Sequence, residues 1–502
     1  MFPARSRNAS SRKGRSRRVS FSPARRCPKN CCPRSRATFG RHALTPETEP
    51  DHSVFSQIDF TSGAVAAVSG GSDSTALLLL LKDHLDRTAP ATKLLAVTID
   101  HALRPGSAAE AQAVARLCAG RGIAHRILLW SGRKPSTGLP AAAREARYRL
   151  LAEAAQAEGI GLILTGHTAD DQVETVLMRQ ARQEGAREAE RGLAGMAPAT
   201  LYDWRIWIAR PLLGTRRAAL REVLRRANVG WVEDPTNEDE AFERPRIRAA
   251  LADRNGPRED ALAVAARAAV EREQLGHRAA ALIRGFASRP AAGLVRLDPG
   301  FATAVDEAAA VYALRVLLAT VGGVAFLPEQ ARSEALLNRL RPGPPGTTSI
   351  LAAPFCATLS RTVVDARRAG IFLRRETRNL PPAAPAVNNA LWDGRRRITL
   401  ADRPGEFLIA PLGAARAARQ AIAENGTPPS LVRAALAAEP VLWRASEHPS
   451  DSPMSPGMAV CPVVAPFARF LPSFDLAPAG TVAALIGAPR LPAPPFGGHT
   501  AG

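Results

Sequence analysis

The stretch Ser69-Gly70-Gly71-Ser72-Asp73-Ser74 falls between a short apolar run, Ala64–Val68, and a helical pattern over Ala76–Leu85. No other feature constrains the fold as strongly. Gly70 and Gly71 let the backbone approach a ligand closely, and the helix that follows offers unpaired amides at its positive end. The hydroxyls of Ser69, Ser72 and Ser74 add groups that hydrogen-bond phosphate oxygens. A strand, a turn of this composition and a helix together make a phosphate cradle. It is not a Walker loop, because the chain contains no Gly-Lys dipeptide, and it lacks the G-x-G-x-x-G spacing of dinucleotide folds. The plainer alternative is a Gly/Ser turn with Asp73 as a helix cap.

Strand and helix periods alternate around the loop from about 60 to 235. Leu94–Asp100 reads as a strand, Ala108–Ala119 as a helix and Ile127–Trp130 as a strand. Ala141–Ala157 is helical, Leu162–Thr165 a strand and Ala169–Arg182 helical. Trp204–Ala209, a helix over Arg216–Ala227 and Trp231–Glu233 close the region. Such alternation predicts an α/β fold, a parallel sheet covered by helices on both faces. Residues 56–240 are then the nucleotide-binding domain and 241–290 a helical arm. A smaller α+β region over 291–488 follows, with a helix at Ala308–Thr320 and strand-like Thr358–Val364, Ile371–Arg375, Ile398–Leu400 and Phe407–Ile409. The two ends, 1–55 and 489–502, read as disordered.

Charge and cysteines bear on partners. The net charge is +21, nearly all of the basic residues are Arg, and residues 1–50 hold 13 Lys and Arg against Glu47 and Glu49. Guanidinium forks suit phosphate, so a polyanionic partner is one reading. A GC-rich genome favouring Arg, Ala and Pro is the other. For the basic tail a transit peptide, an RNA-touching arm and a misplaced start compete, and a misplaced start or dispensable tail is favoured. The longest unbroken apolar run, Ala308–Leu314, is far shorter than the ~20 residues of a spanning helix, so no membrane is expected. The six cysteines form no disulfide framework, and Cys27, Cys31 and Cys32 lack a downstream pair for zinc. That usage suits a reducing, cytoplasmic setting.

Chemistry-bearing residues gather at strand ends. Asp100-His101 closes a strand, where open α/β sheets place ligands. His167, Asp170, Asp171 and Glu174 straddle a strand end and a first helical turn, and the three- and four-residue spacings put the acids near one face. Carboxylates beside a phosphate cradle suit Mg²⁺, with stabilisation of a helix N-terminus as the alternative. Arg144 and Arg147 lie one turn apart beside Tyr148, which a solvated helix face also explains. Arg210 before Pro211, with Arg244, Arg246 and Arg248 on an alternating track, are candidates to hold RNA phosphates. His101 and His167 also admit the reading of ordinary, satisfied histidines.

After SGGSDS come, in order, IDHALR (Ile99–Arg104), AREARY (Ala143–Tyr148), TGHTADDQVET (Thr165–Thr175), RPLL (Arg210–Leu213) and DPTNED (Asp234–Asp239). This series resembles the N-type ATP pyrophosphatases (PP-loop enzymes) and, among them, the tRNA(Ile)-lysidine synthases, over roughly residues 60–250. The resemblance implies ATP and Mg²⁺ as cofactors. Ser69, Gly70, Gly71, Ser72, Asp73, Ser74, Asp100 and His101 would bind nucleotide. Asp171 and Glu174 would hold the metal, and Asp73, Arg144, His167, Asp171 and Glu174 would serve catalysis.

The reaction implied is a two-step ligation on an isoleucine tRNA with a CAU anticodon. ATP adenylates the C2 oxygen of the wobble cytidine, and free L-lysine then attacks C2 and expels AMP. A base must take the lysine proton, and no residue is assigned to it. Pro245 stands where Asn is frequent, and Gly185–Gly192 lacks the usual Gly/Ser-rich turn; these departures leave nucleotide binding intact and bear on the detailed tRNA contacts. Two other readings stand beside this one. A thiolase-type relative would need catalytic cysteines, and Cys118 is the single Cys of the 60–250 core. A non-catalytic RNA-binding protein would not need the intact loop and acid cluster. No oligomeric state follows from the sequence.

Overall fold

The computed structural model describes residues 52–182, 189–233, 243, 246–248, 256–341, 354–400, 407–422, 426–444 and 459–496. All of them belong to one compact unit, Glu47–Gly502. The basic stretch 1–50, the Asp234–Asp239 motif and Arg244 lie outside the described residues.

Strand β1 (Ala64–Ala67) leads into helix α1 (Ser72–Thr88), followed by β2 (Leu94–Asp100), α2 (Ser107–Ala119) and β3 (Ala124–Leu129). Next come α3 (Leu139–Ala157), β4 (Leu162–Thr165), α4 (Ala169–Ala181) and the short α5 (Ala189–Leu193). β6 (Ile206–Ala209) and α6 (Arg217–Arg226) complete the expected alternation, with β5 (Ala199–Tyr202) as an unexpected strand before them. In the sheet, β6, β4, β1, β2 and β3 lie side by side and parallel. The chain order reverses at β1, which lies between β2 and β4. The loops after β1 and β4 therefore flank a crevice at the carboxyl end of the sheet, where such folds bind ligands.

The apolar strands follow from burial on both faces. Ala64 and Ala66 join the cluster that contains Leu77, Leu78 and Leu81 of α1, while Val65 joins Tyr148, Leu151 and Ala155 of α3. Alternate residues of one strand thus serve opposite helical layers, as the two-residue period requires.

Two strands at this side of the sheet carry no readable pattern. β5 runs antiparallel to β6, and Phe470–Pro472 runs antiparallel to β5, pairing Phe470 with Tyr202. The region after 291 therefore contributes a strand to the first sheet. Three residues are too few to show a period.

The helical arm appears as α7 (Gly256–Phe286), 31 residues long. A five-stranded antiparallel sheet follows, built from β7 (Ala287–Ala291), β8 (Leu294–Leu297), β9 (Phe355–Leu359), β10 (Thr362–Arg367) and β11 (Gly370–Arg375). Helix α8 (Glu307–Gly322) enters between β8 and β9.

Thr358–Val364 is thus not one strand. Ser360 and Arg361 take φ values of 51° and 61° and form a two-residue hairpin turn. Neither is the Gly or Asn that normally marks such a turn. Trp231–Glu233 pairs with no strand among the described residues, but the Val232 amide donates to the Gly70 carbonyl at 2.9 Å. The expected disorder of the end also needs correction over 489–496. Phe496 bridges Ile58, and the Asp59 amide donates to the Pro495 carbonyl at 2.8 Å. No described helix is long and apolar enough to cross a membrane.

Candidate active site

The loop after β1 is organised by its own side chains. The Ser69 amide donates to Ser74 Oγ at 3.1 Å, and Ser74 Oγ donates to the Gly71 carbonyl at 3.2 Å. Gly70 turns the chain at φ +88°, in the left-handed region that favours glycine. Gly71 caps α1 without any side-chain hydrogen bond, so no side chain claims the first-turn amides.

The loop after β4 closes against it. A Cβ on Gly166 would stand 2.8 Å from the Asp73 carbonyl oxygen and 2.9 Å from the Ser74 nitrogen, so only glycine permits this approach. Thr165 Oγ1 and His167 Nδ1 are hydrogen-bonded at 2.9 Å, which orients the imidazole at the rim.

Between the loops lies a cavity of about 600 Å³. Val97, Ile99, His101 and Leu151 give one apolar wall, while Ser69, Ser72 and Ser74 give a polar floor. His101 packs edge-on against Trp130 at 5.9 Å, and its Nδ1 is buried without a hydrogen bond. Burial first, and Arg147 second, lower its pKa and keep it neutral at pH 7. Asp100 does not line the cavity. Its Oδ1 accepts from the Ala102 amide at 2.8 Å and holds that turn, with Ala102 at φ 48°.

The acid cluster assembles as expected, but around a guanidinium. Asp171 closes a capping box with Thr168, its Oδ2 accepting from the Thr168 amide at 2.8 Å and from Thr168 Oγ1 at 3.0 Å. Its Oδ1 accepts from Arg217 Nη2 at 3.1 Å. Arg217 Nε donates to Asp73 Oδ2 at 2.8 Å, and Nη1 lies 3.9 Å from Glu174. Glu174, 2% exposed, is paired with Arg248.

Burial works against the charge on Arg217, but Asp73, Asp171 and Glu174 outweigh it and raise its pKa above the ordinary arginine value. In this structure guanidinium and cap donors meet the oxygens of Asp171 and Glu174, the residues expected to hold the metal. Among the described residues no group of three or more His, Cys, Asp or Glu converges into an all-protein metal cage.

The arginines are distributed differently from the sequence expectation. Arg210 is not a phosphate contact. It is 5% exposed, and its Nη1 donates to the Ala197 carbonyl at 2.8 Å and to Thr200 Oγ1 at 2.9 Å. Arg248 lines the cavity, Arg246 is exposed, and Arg244 lies outside the described residues. Arg144 stands 5.0 Å from the Tyr148 ring, away from the cavity wall, and Arg147 lines the cavity instead.

Arg217, Arg221 and Trp231 have no site role in the sequence reading, and Arg147 is paired there with Arg144 but given none, yet all four line the cavity. A signal existed for Arg217. Arg216 and Arg217 open α6 with no acid in its first turn, against the helix dipole, and a local conflict of that kind often marks a functional position.

The PP-loop domain family matches residues 50–255. Three curated relatives each bear the name tRNA(Ile)-lysidine synthase. That of Mesorhizobium japonicum is 69% identical over 462 residues, covering 91% of this chain and 99% of the relative. That of Rhizobium meliloti is 38% identical over 442 residues, covering 86% and 93%. That of Brucella melitensis biotype 2 is 41% identical over 342 residues, covering 66% and 72%. With identity of this extent along almost the whole of the Mesorhizobium protein, and the strand–SGGSDS–helix unit at its expected place on a parallel sheet, the chain belongs to the tRNA(Ile)-lysidine synthase family.

Proposed function

We propose that the cavity between the loops after β1 and β4 is where ATP is split and lysidine is made. The chain is a lysidine-forming ligase acting on tRNA(Ile), lysine and ATP, and the proposal concerns how its residues do this. The observation that carries it is the approach of Gly166 to Asp73, which joins the phosphate loop and the His167–Glu174 segment into one wall.

In this reading the β- and γ-phosphates rest on Ser69–Ser74, and the adenosine lies toward Val97, Ile99 and His101. The C2 oxygen of the wobble cytidine in a CAU anticodon attacks the α-phosphorus. The O–P bond forms as the bridge to the β-phosphate breaks, and pyrophosphate leaves with the electron pair. Lysine nitrogen then attacks C2, loses a proton, and AMP departs. An amide-like oxygen is a poor leaving group and AMP a good one, so the remaining work is positioning and charge neutralisation. Mg²⁺ enters only as the counter-ion that ATP brings, and no step is assigned to it.

The nucleotide part is 56–240, with the helical arm 241–290 and the 291–488 region flanking the tRNA path. Exposed Arg246 contacts the tRNA backbone. A thiolase reading meets a buried thiol, since burial pushes Cys118 up to about 11 and leaves it unreactive. The free cysteines Cys118, Cys356 and Cys461 accord with a reducing cytoplasm.

One assay tests the reading. The protein is incubated with tRNA(Ile), ATP and labelled lysine. Lysine incorporation with one AMP released per tRNA is expected. Sulfur incorporation, or tRNA binding without AMP, would overturn it.

A further inference from the structure

We propose that Arg217 is the group that receives the departing pyrophosphate, exchanging its carboxylate partners for the leaving group. This rests on the reading that the Ser69–Ser74 loop holds the β- and γ-phosphates.

Arg217 stands where the leaving group must pass. Arg217 is the first residue of α6, and its amide donates to Asp170 Oδ2 at 2.8 Å, which pins the start of α6 to α4. Its Nε meets Asp73, a member of the phosphate loop, and its side chain lines the cavity at 21% exposure. A planar fork of donors at this place matches phosphate oxygens two at a time.

The carboxylates have other donors when the guanidinium leaves. Removing a cation from a buried acid is normally prohibitive, because an uncompensated charge remains. Here each acid has a second donor. Asp73 Oδ1 accepts from Ser72 Oγ at 3.0 Å, Asp171 Oδ2 keeps both Thr168 bonds, and Glu174 keeps Arg248. Arg217 can therefore turn toward phosphate while every acid stays hydrogen-bonded.

Electrostatics sets the direction of the exchange. In the resting site the guanidinium is shared among Asp73, Asp171 and Glu174. As the α-phosphorus leaves its bridging oxygen, an electron pair collects on the pyrophosphate and the competition shifts toward it. Arg217 transfers no proton and keeps its charge throughout. Its contact strengthens with the developing charge, and an interaction stronger in the transition state than in the ground state is what raises a rate.

The test uses the full chain carrying Arg217→Lys, which keeps the charge but loses the fork, with Arg217→Gln as a second variant. Pyrophosphate binding is read by calorimetry, adenylation by single-turnover AMP formation, and tRNA affinity separately. Arg217→Lys is expected to weaken pyrophosphate binding by about tenfold or more, the scale of one charge-assisted hydrogen bond. The adenylation rate should fall at least as far, with the KM for ATP and the tRNA affinity little changed. Pyrophosphate binding equal to wild type in a folded Arg217→Lys protein overturns the proposal, as does a rise in the KM for ATP alone. If the unaltered protein binds no pyrophosphate, or releases no AMP with tRNA, the phosphate-loop reading itself fails and the proposal falls with it.

Discussion

The α-carbon of Gly166 faces the carbonyl of Asp73 so closely that a methyl group there would sit 2.8 Å from the oxygen. The loops after β4 and β1 are thus held together through a missing side chain. Gly166→Ala must push one loop away, because the obstructing atoms are backbone. We expect a loss of about 100-fold in kcat/KM for ATP, the scale of an ångström of misplacement in a reacting site. The thermal midpoint should fall by only a few degrees. TRNA-dependent AMP release and a melting curve check both, and full activity in the alanine variant would refute the close approach.

Tyr148 gives a pH prediction. Its burial opposes ionisation, but Arg147, Arg144 and Arg210 outweigh it and bring the phenol down to about 7. An unfolded tyrosine titrates near ~10. The native pKa is the depressed one, so the ionised phenol contributes stability that is full above the unfolded value and is lost as pH falls through 7. Relative to Tyr148→Phe, the wild-type protein should gain stability steadily from pH 7 to pH 10 and show no further change below 7. Denaturant titrations across that range, with the phenolate absorbance followed in parallel, measure it. A pH-independent difference would show a neutral phenol.

Asp475 is fully buried and ties four segments together. Its Oδ1 accepts from Tyr312 at 2.9 Å, Arg191 at 2.8 Å and Arg272 at 3.1 Å, linking α5, α7 and α8 to the C-terminal segment. Asp475→Asn leaves two partly buried guanidiniums without their fully buried counter-charge. Its cost should be about 3–5 kcal/mol of unfolding free energy. AMP formation should persist in whatever fraction stays folded. A stability loss under 1 kcal/mol, measured by chemical denaturation, would mean that water reaches the cluster.

Arg210 and Arg246 separate structure from recognition. Arg210→Ala should destabilise the fold and leave tRNA affinity per folded molecule unchanged, because its guanidinium meets Ala197 and Thr200 inside the protein. Arg246→Ala should move the melting curve less than Arg210→Ala does. It should weaken tRNA binding and flatten its salt dependence by about one unit of slope, as loss of one phosphate contact does. Affinities measured across a salt series, with melting curves alongside, distinguish the two. The reverse pattern would mean that the tRNA reaches the RPLL segment.

Much of the architecture was legible because it is written locally. Ser69–Ser74 needs only its own glycines and hydroxyls to form a cradle. Leu162–Thr165 is an apolar strand at the same bounds in sequence and in structure, and Thr168 and Asp171 cap α4 from three residues apart. The alternation of strand and helix likewise selects the parallel sheet, since apolar strands with helices between them can be buried only that way. Turns without Gly or Asn, such as Ser360-Arg361, and the three-residue strand Phe470–Pro472 left no local trace.

The sequence by itself determined the parallel strand–helix alternation of the first half and the chemistry of the phosphate loop, because neighbouring residues decide backbone conformation there. Only the tertiary structure decided where each arginine's charge is spent. Arg210 reads as a phosphate contact in RPLL and is buried against Thr200, while Arg217, unremarked at a helix start, reaches Asp73 across 144 positions of chain. A long, flexible cation takes its partner from whatever carboxylate or carbonyl packing brings within a few ångströms. That neighbour lies far away in sequence and on another element, so no spacing along the chain encodes the pair.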